Sequence, residues 1–508
     1  MPGKRVIYQV LPRLWNVGST FCGKFSGFDE ASFEYFRSLG VTDIWYTGVI
    51  RHATLISGHG CTSSDPACVK GTAGSPYAIT DYYDVNPYLA DNPSNRMAEF
   101  EDLIKRTHKA GFRAIIDFVP NHVARQYDGA MTPKGTPRLG ENDDTSIHWK
   151  PENDFFYYPG EELRLPAGNG TYREFPAKAT GNAYTPAPDI NDWYDTVKLN
   201  YCPFHTPTWD RMKEIVLFWA GKGVDGFRCD MVELVPPEFF TWLIKEIKKE
   251  FPHITFIAEV YEKALYERYV REVGFDLLYD KSGMYDTLRD VVARRQSAAA
   301  ITGVWQYLGD LQPSMLNFLE NHDEQRIASL QFAGSPEAGF AALGVSLLFN
   351  SAPFMLYSGQ ETGEKGGSDG RTSIFEISPL ATLGRNDKGP TVIPSGAKES
   401  PLPKYRRFLS LASLKAFSEG GTFDLCYCQP ASFDRDNLFA WLRSDGKTLW
   451  LCLSNFSDRR VETEITIPAE AFTYFGFPPQ AKTLTVVSAP CDCTVARVYH
   501  TASPTSPS

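Results

Sequence analysis

Four acidic residues, far apart in the chain, hold equivalent places on short apolar runs. Asp117 lies within the run 113–118, Asp230 follows 224–228, Glu259 ends 255–259 and Asp323 follows 315–319. One acid at a strand end is ordinarily a cap or a surface charge. Four at equivalent ends converge if the runs close into a barrel, because a barrel gathers the carboxyl ends of its strands around one mouth. Crowded carboxyls raise one another's pKa, so one can stay protonated while another is ionised at the same pH. Glycosidic cleavage by a carboxylate pair needs that combination. Arg228, two residues before Asp230 and so on the same strand face, would aim its fork at that carboxylate and keep it ionised. A barrel-lining salt bridge to Asp117 is the structural alternative, and it is compatible with that role.

The elements that must position these acids are legible as alternation. Strand-like runs at 6–10, 43–46, 113–118, 224–228, 255–259, 275–279, 315–319 and 354–358 are separated by helical patterns, the signature of a parallel sheet with crossover helices. Eight in order predict an α/β fold, a (β/α)8 TIM barrel. Near-helical spacing of Phe28, Phe33, Phe36 and Leu39 within 28–39, and of Phe239, Leu243, Ile247 and Phe251 within 237–251, predicts two stripes that pack on the barrel.

A βα repeat takes about 30 to 40 residues, so the distance from the third run to the fourth implies an insertion. Residues 123–204 are rich in Pro, Gly, Asn, Asp and Tyr without helical period and predict an irregular subdomain over the mouth. The long segment 48–92 after the second run is expected to shape the site. The barrel is then 1–122 with 205–414, a C-terminal antiparallel β-sandwich spans 415–500, and the Ser/Thr/Pro-rich tail 501–508 is expected to be disordered.

Bulk properties narrow the partners. The formal charge of −10, with no Lys/Arg run, argues against nucleic acid. No apolar run is long enough to span a bilayer. The opening Met1-Pro2-Gly3-Lys4 leaves no room for a secretory leader, which as the chain stands predicts a cytoplasmic protein; a trimmed leader would make it periplasmic or secreted. The ten cysteines lack zinc spacing. Cys426/Cys428 and Cys491/Cys493 alternate as if on one strand face each, and Cys61 and Cys68 could bridge in an oxidising compartment.

Four runs carry a resemblance. Asp117-Phe118-Val119-Pro120-Asn121-His122, Gly226-Phe227-Arg228-Cys229-Asp230, Phe256-Ile257-Ala258-Glu259-Val260 and Phe318-Leu319-Glu320-Asn321-His322-Asp323 resemble the four signature regions of glycoside hydrolase family 13, the α-amylase family. The likeness extends from Val6-Ile7-Tyr8-Gln9-Val10 through Gly359-Gln360-Glu361 to the C-terminal β region. It implies retaining hydrolysis of α-glucans or malto-oligosaccharides, with Asp230 as nucleophile, Glu259 as acid/base and Asp323 as stabiliser of the distorted sugar. It further implies that His122 and His322 bond sugar hydroxyls and that Tyr77 stacks on the sugar face.

No cofactor is implied for the chemistry. A structural calcium is possible through Asn121, with Asp189, Asp192 and Asp195 as candidates that equally suit turns. The stretch Met231-Val232-Glu233-Leu234 departs from the Lys-His pair of many endo-acting amylases, and Glu233 is expected either to meet an acceptor sugar or to face solvent. A glucanotransferase or sugar isomerase would use the same acids. A sugar-binding scaffold without catalysis would have lost one of them, and a barrel metalloenzyme would need a ligand spacing that the histidines lack.

Overall fold

The computed structural model describes residues 3–17, 21–377 and 400–500. The expected tail 501–508 lies outside the described residues. Eight parallel strands close into a barrel: β1 (Val6–Val10), β2 (Asp43–Tyr46), β3 (Arg113–Phe118), β4 (Gly226–Cys229), β5 (Thr255–Ala258), β6 (Leu277–Tyr279), β7 (Met315–Phe318) and β8 (Phe354–Tyr357). They pair in chain order, and β8 closes on β1. The first three match their expected bounds; the rest are shorter by a residue or two. Glu259, Leu319 and Ser358 leave the ladder as the chain turns into the loops of the mouth. Strand β4 opens on a glycine of necessity, since a Cβ at Gly226 would lie 3.0 Å from the Thr255 carbonyl and 3.3 Å from the Ile115 side chain.

The period-two alternation of the strands divides the core into two layers. Ile7, Trp45, Ile115, Ile257, Leu316 and Met355 point inward and fill the barrel. Their neighbours Tyr8, Ile44, Ala114, Phe256 and Leu356 point outward into the cluster shared with the helices. Helix α1 (Glu30–Ser38) is capped by Asp29, whose carboxylate accepts from the Ser32 N–H, and it buries Phe33 and Phe36. Helix α2 (Pro237–Glu250) opens on a proline, as a first turn permits, and buries Phe239, Leu243 and Ile247. Each such aromatic or aliphatic side chain contributes about 1.5–3 kcal/mol.

Two excursions rise from the strand ends that bear the acids. After β2 the chain forms an antiparallel pair, Ile50–His52 with Ile79–Val85. After β3 it forms short ladders, His122–Ala124 with Thr196–Lys198 and Tyr157–Tyr158 with Ala177–Lys178. Arg125 and Glu174, both buried, meet at 2.8 Å in this inserted part. The C-terminal strands are antiparallel: β9 (Gly421–Asp424), β10 (Leu438–Ser444), β11 (Thr448–Asn455) and β14 (Asp492–His500) form one sheet, and β12 (Val461–Ile467) pairs with β13 (Lys482–Ser488).

The cysteine expectations need correction. Cys426–Cys428 is a single 3-10 turn, not a strand, because the Asp424 carboxylate accepts from the Cys426 N–H and turns the chain out of β9. Cys491 has a left-handed backbone, φ 51°, one residue ahead of β14, so it does not share a strand face with Cys493. Cys61 and Cys68 are both free thiols; Cys68 is buried against Leu163, Leu165 and Ala177.

Candidate active site

Arg228 organises the mouth. In register it stands between Asp117 on β3 and Ile257 on β5, so its side chain projects into the barrel, where it is fully buried. Its guanidinium lies among the rings of Trp45, Tyr77 and Tyr279, 5.3–5.6 Å from their centroids. Nη1 donates to Asp230 Oδ1 at 2.6 Å and lies 3.9 Å from Asp117. Nη2 lies 2.8 Å from Glu259 Oε1, yet Nη2 has no aligned hydrogen-bond partner. Arg228 therefore gives Asp230 a directed, charge-assisted bond and Glu259 only a Coulombic contact.

Glu259 takes its directed bonds elsewhere. The Tyr261 hydroxyl donates to Oε1 at 2.7 Å and the Met231 N–H to Oε2 at 2.9 Å. Met231 can offer that amide because its backbone is left-handed, φ 45°. Burial pushes both the Asp230 and the Glu259 carboxyls above their ordinary range, against the pull of Arg228. Asp323 is the most open of the three acids, with its side chain 40% exposed. Desolvation in the barrel mouth lifts its pKa, but the adjacent His322, with Nε2 at 3.0 Å, together with Arg228 and Arg371, outweighs that and holds the carboxyl below its usual value. The same pair raises His322 despite burial.

The other expected residues stand on the same rim. Tyr77 Oη is 2.6 Å from His322 Nε2 and donates to Asp117 at 3.4 Å, while Gln9 Nε2 on β1 lies 2.8 Å from His322 Nδ1. His122 is buried, its ring 5.2 Å from that of Trp193, and burial pushes its pKa down to about 3, so the imidazole is neutral at physiological pH. Tyr77, His122, Asp230, Glu259 and Asp323 line one cavity of about 240 Å³ with Trp193, Tyr261 and Phe375. Arg228 lies beneath them. A larger cavity of about 390 Å³, lined by Arg51, His52, Gln126 and Asp128, lacks paired carboxylates and carries no comparable chemistry.

Trp193, Tyr261 and Phe375 were not singled out by sequence. Tyr261 could have been found as the next residue on the side of Glu259 after the strand ends. Trp193 and Phe375 come from the insertion and from the segment after β8, where no period or motif marks them. Glu233, expected to meet an acceptor sugar or to face solvent, is partly buried and has backbone partners that neither expectation named. Its carboxylate accepts from the Tyr261 N–H at 2.9 Å and the Glu262 N–H at 3.1 Å.

The calcium candidates do not form a cage. The Lys198 ammonium bonds Asn121 Oδ1, occupying the place a cation would take, while Asp195 pairs with Lys70 at 3.1 Å. Asp189 and Asp192 bond each other's backbone within a turn. Among the described residues no group of three His, Cys, Asp or Glu side chains converges as a metal site, and no helix is long and apolar enough to cross a membrane.

Fold and site together define a parallel-barrel protein with three acids and one buried arginine at the carboxyl end of its strands. Comparison with known proteins then places it: residues 9–474 match the family model of the α-amylase catalytic domain, and the chain belongs to the α-amylase family. Alpha-amylase 3 of Dictyoglomus thermophilum is 25% identical over 353 residues, 66% of this chain. The 4-alpha-glucanotransferase of Thermotoga maritima is 25% identical over 376 residues, 71% of this chain and 72% of that protein. The chain spans 59% of the length of the Dictyoglomus protein. A noncanonic maltogenic alpha-amylase from Thermotoga neapolitana shares the fold, with TM-score 0.62, 20% identity, and 97% of this chain and 96% of that one covered.

Proposed function

We propose that this protein is a retaining α-glycoside hydrolase acting on α-glucans or malto-oligosaccharides. The observation that carries this reading is the unequal grip of Arg228. A directed bond from a buried guanidinium keeps Asp230 ionised, as a nucleophile must be. Glu259 takes its aligned hydrogen bonds from a phenol and an amide, neutral donors that it can release on taking up a proton, and its 2.8 Å contact with Arg228 lacks that alignment. A single guanidinium reaches both carboxyls, which suits the close spacing of about 5–5.5 Å used in retention better than the wider spacing of inversion.

In the first step Asp230 Oδ attacks the anomeric carbon while Glu259 gives its proton to the departing glycosidic oxygen, leaving a glycosyl ester on Asp230. In the second, Glu259 takes a proton from water, whose oxygen attacks the same carbon from the side the leaving group vacated, and Asp230 departs as carboxylate. Asp323, held ionised beside His322, stabilises positive charge on the ring carbon and oxygen. Tyr77 and Trp193 supply ring faces, and the neutral His122 hydrogen-bonds a hydroxyl without adding charge. Membership of the family and the names of the matched relatives support an α-glucan substrate.

The test is incubation with maltoheptaose, pullulan and soluble starch, with products separated by chromatography and the newborn anomer read by proton NMR. Shorter α-anomeric products are expected, and the fragments from pullulan report bond preference. Asp230→Asn should lower turnover at least about a thousandfold, roughly 4 kcal/mol of barrier, while glucan binding persists. Undiminished turnover in that variant, or β-anomeric products, overturns the assignment; longer products would move it to a glucanotransferase.

A further inference from the structure

The loop after β4 grips the acid/base in two places. The Met231 N–H bonds Glu259 Oε2, and two residues on, the Glu233 carboxylate bonds the amides of Tyr261 and Glu262, the chain just beyond Glu259. A carboxylate accepting two successive N–H groups fixes the peptide between them. It thereby fixes the start of the Tyr261 side chain, whose hydroxyl reaches back to Glu259 Oε1. The Tyr261 ring is only partly buried and lines the site cavity, with Lys281 Nζ 6.0 Å from its centroid. The phenol and Arg228 Nη2 both approach Oε1, but Tyr261 lines the cavity through which a sugar leaving group must arrive and the buried Arg228 does not.

We propose that Glu233 and Tyr261 are a positioning pair that holds Glu259 as a carboxylate in the free protein and releases it to its protonated form when a bound sugar displaces the Tyr261 hydroxyl. The inference rests on the proposed role of Glu259 as acid/base. The physical reason is the direction of the bond. An O–H donated to Oε1 stabilises the ionised carboxyl more than the neutral one, so a phenol standing there opposes the proton that the first chemical step needs. Oε2 keeps its single amide donor throughout. The charged and titratable groups facing Glu259 are Arg228 and Asp230 from the end of β4, Asp323 from the end of β7, Tyr279 from β6 and Tyr261 itself, with Glu233 and Lys281 behind Tyr261. Of these, Tyr261 combines a neutral hydrogen bond to Glu259 with a place on the cavity wall, so it is the donor a ligand can move at least cost. Hydrogen bonding by Tyr261 indeed lowers the Glu259 pKa, against the larger upward push of burial.

The test separates free protein from complex. The profile of kcat/KM against pH reports the free protein, and that of kcat reports the complex. Tyr261→Phe removes one atom from a partly exposed ring, so the fold should persist. It is expected to move the basic limb of kcat/KM upward by about one pH unit and to leave the basic limb of kcat in place. Glu233→Gln, which retains one acceptor for two amides, should move the same limb in the same direction by less, and should add nothing on the Tyr261→Phe background.

A second readout needs no turnover. In protein labelled with ¹³C at glutamate carboxyls, the Glu259 signal, assigned by its loss in Glu259→Gln, should titrate about one unit higher in Tyr261→Phe. An unmoved basic limb of kcat/KM with an unmoved titration overturns the proposal. So does a further Glu233→Gln shift when the phenol is already gone. If the glucans are not cleaved at all, the titration still decides the proposal, while the hydrolase reading falls on its own test.

Discussion

Replacing Arg228 by methionine keeps much of the side-chain volume and removes the charge that serves Asp230, Glu259 and Asp117. Removing one partner of a buried pair costs about 3–5 kcal/mol, because the remaining charge stays buried without compensation. For a 508-residue chain unfolding as one unit, the entropy of unfolding is about 1.1 kcal/mol per kelvin, so Tm should fall by about 3–5 °C near neutral pH. The pH dependence distinguishes charge from packing. Burial already holds Asp230 and Glu259 above their ordinary range, and without Arg228 both rise further. A carboxyl whose folded pKa exceeds its unfolded one binds protons more tightly in the native state, so stability is lost as pH rises past the unfolded value near 4. The deficit of Arg228→Met should therefore be largest at pH 7–8 and shrink as pH falls toward 4, as read by calorimetry at several pH values. A deficit equal at pH 4.5 and 7.5 would refute the reasoning, because lost packing does not titrate.

Two further expectations concern groups outside the chemistry. Asp280, just after β6, is buried with Oδ2 unpartnered, and burial raises it to about 6; its Oδ1 accepts from the Met284 N–H. Asp280→Asn preserves that acceptor and should stabilise the protein at pH 7.5 by about 3 kcal/mol while giving little gain at pH 4, a difference that urea titrations at the two pH values would reveal. His52 is buried and pushed down to about 3 by burial, so the unfolded chain binds its proton first and stability is lost as pH falls below about 6.5. His52→Gln should accordingly reduce the stability lost between pH 6.5 and pH 5 by about 2 kcal/mol, measured against the unchanged chain.

The barrel and its acids were legible because both rest on local patterns. Eight apolar runs separated by helical periods admit few closed arrangements. Once the strands are in order, the positions of Asp117, Asp230, Glu259 and Asp323 at their ends follow from chain direction alone. Arg228 was legible for the same reason, since a two-residue step keeps a side chain on one strand face. What only the tertiary structure decided lies in loops, where no period constrains the chain. There the Asp424 cap turned an apparent strand at Cys426 into a 3-10 turn. An ammonium from Lys198, 77 residues away in sequence, took the oxygen of Asn121 that a cation might have claimed. Glu233, by residue type a solvent-facing acid, became a clamp on the neighbouring loop because two amides from the next strand's end point at it. Sequence patterns determine which face of an element a side chain occupies; which unpaired donor it meets across a gap between loops depends on folding that brings distant segments together, and that information is not carried by spacing.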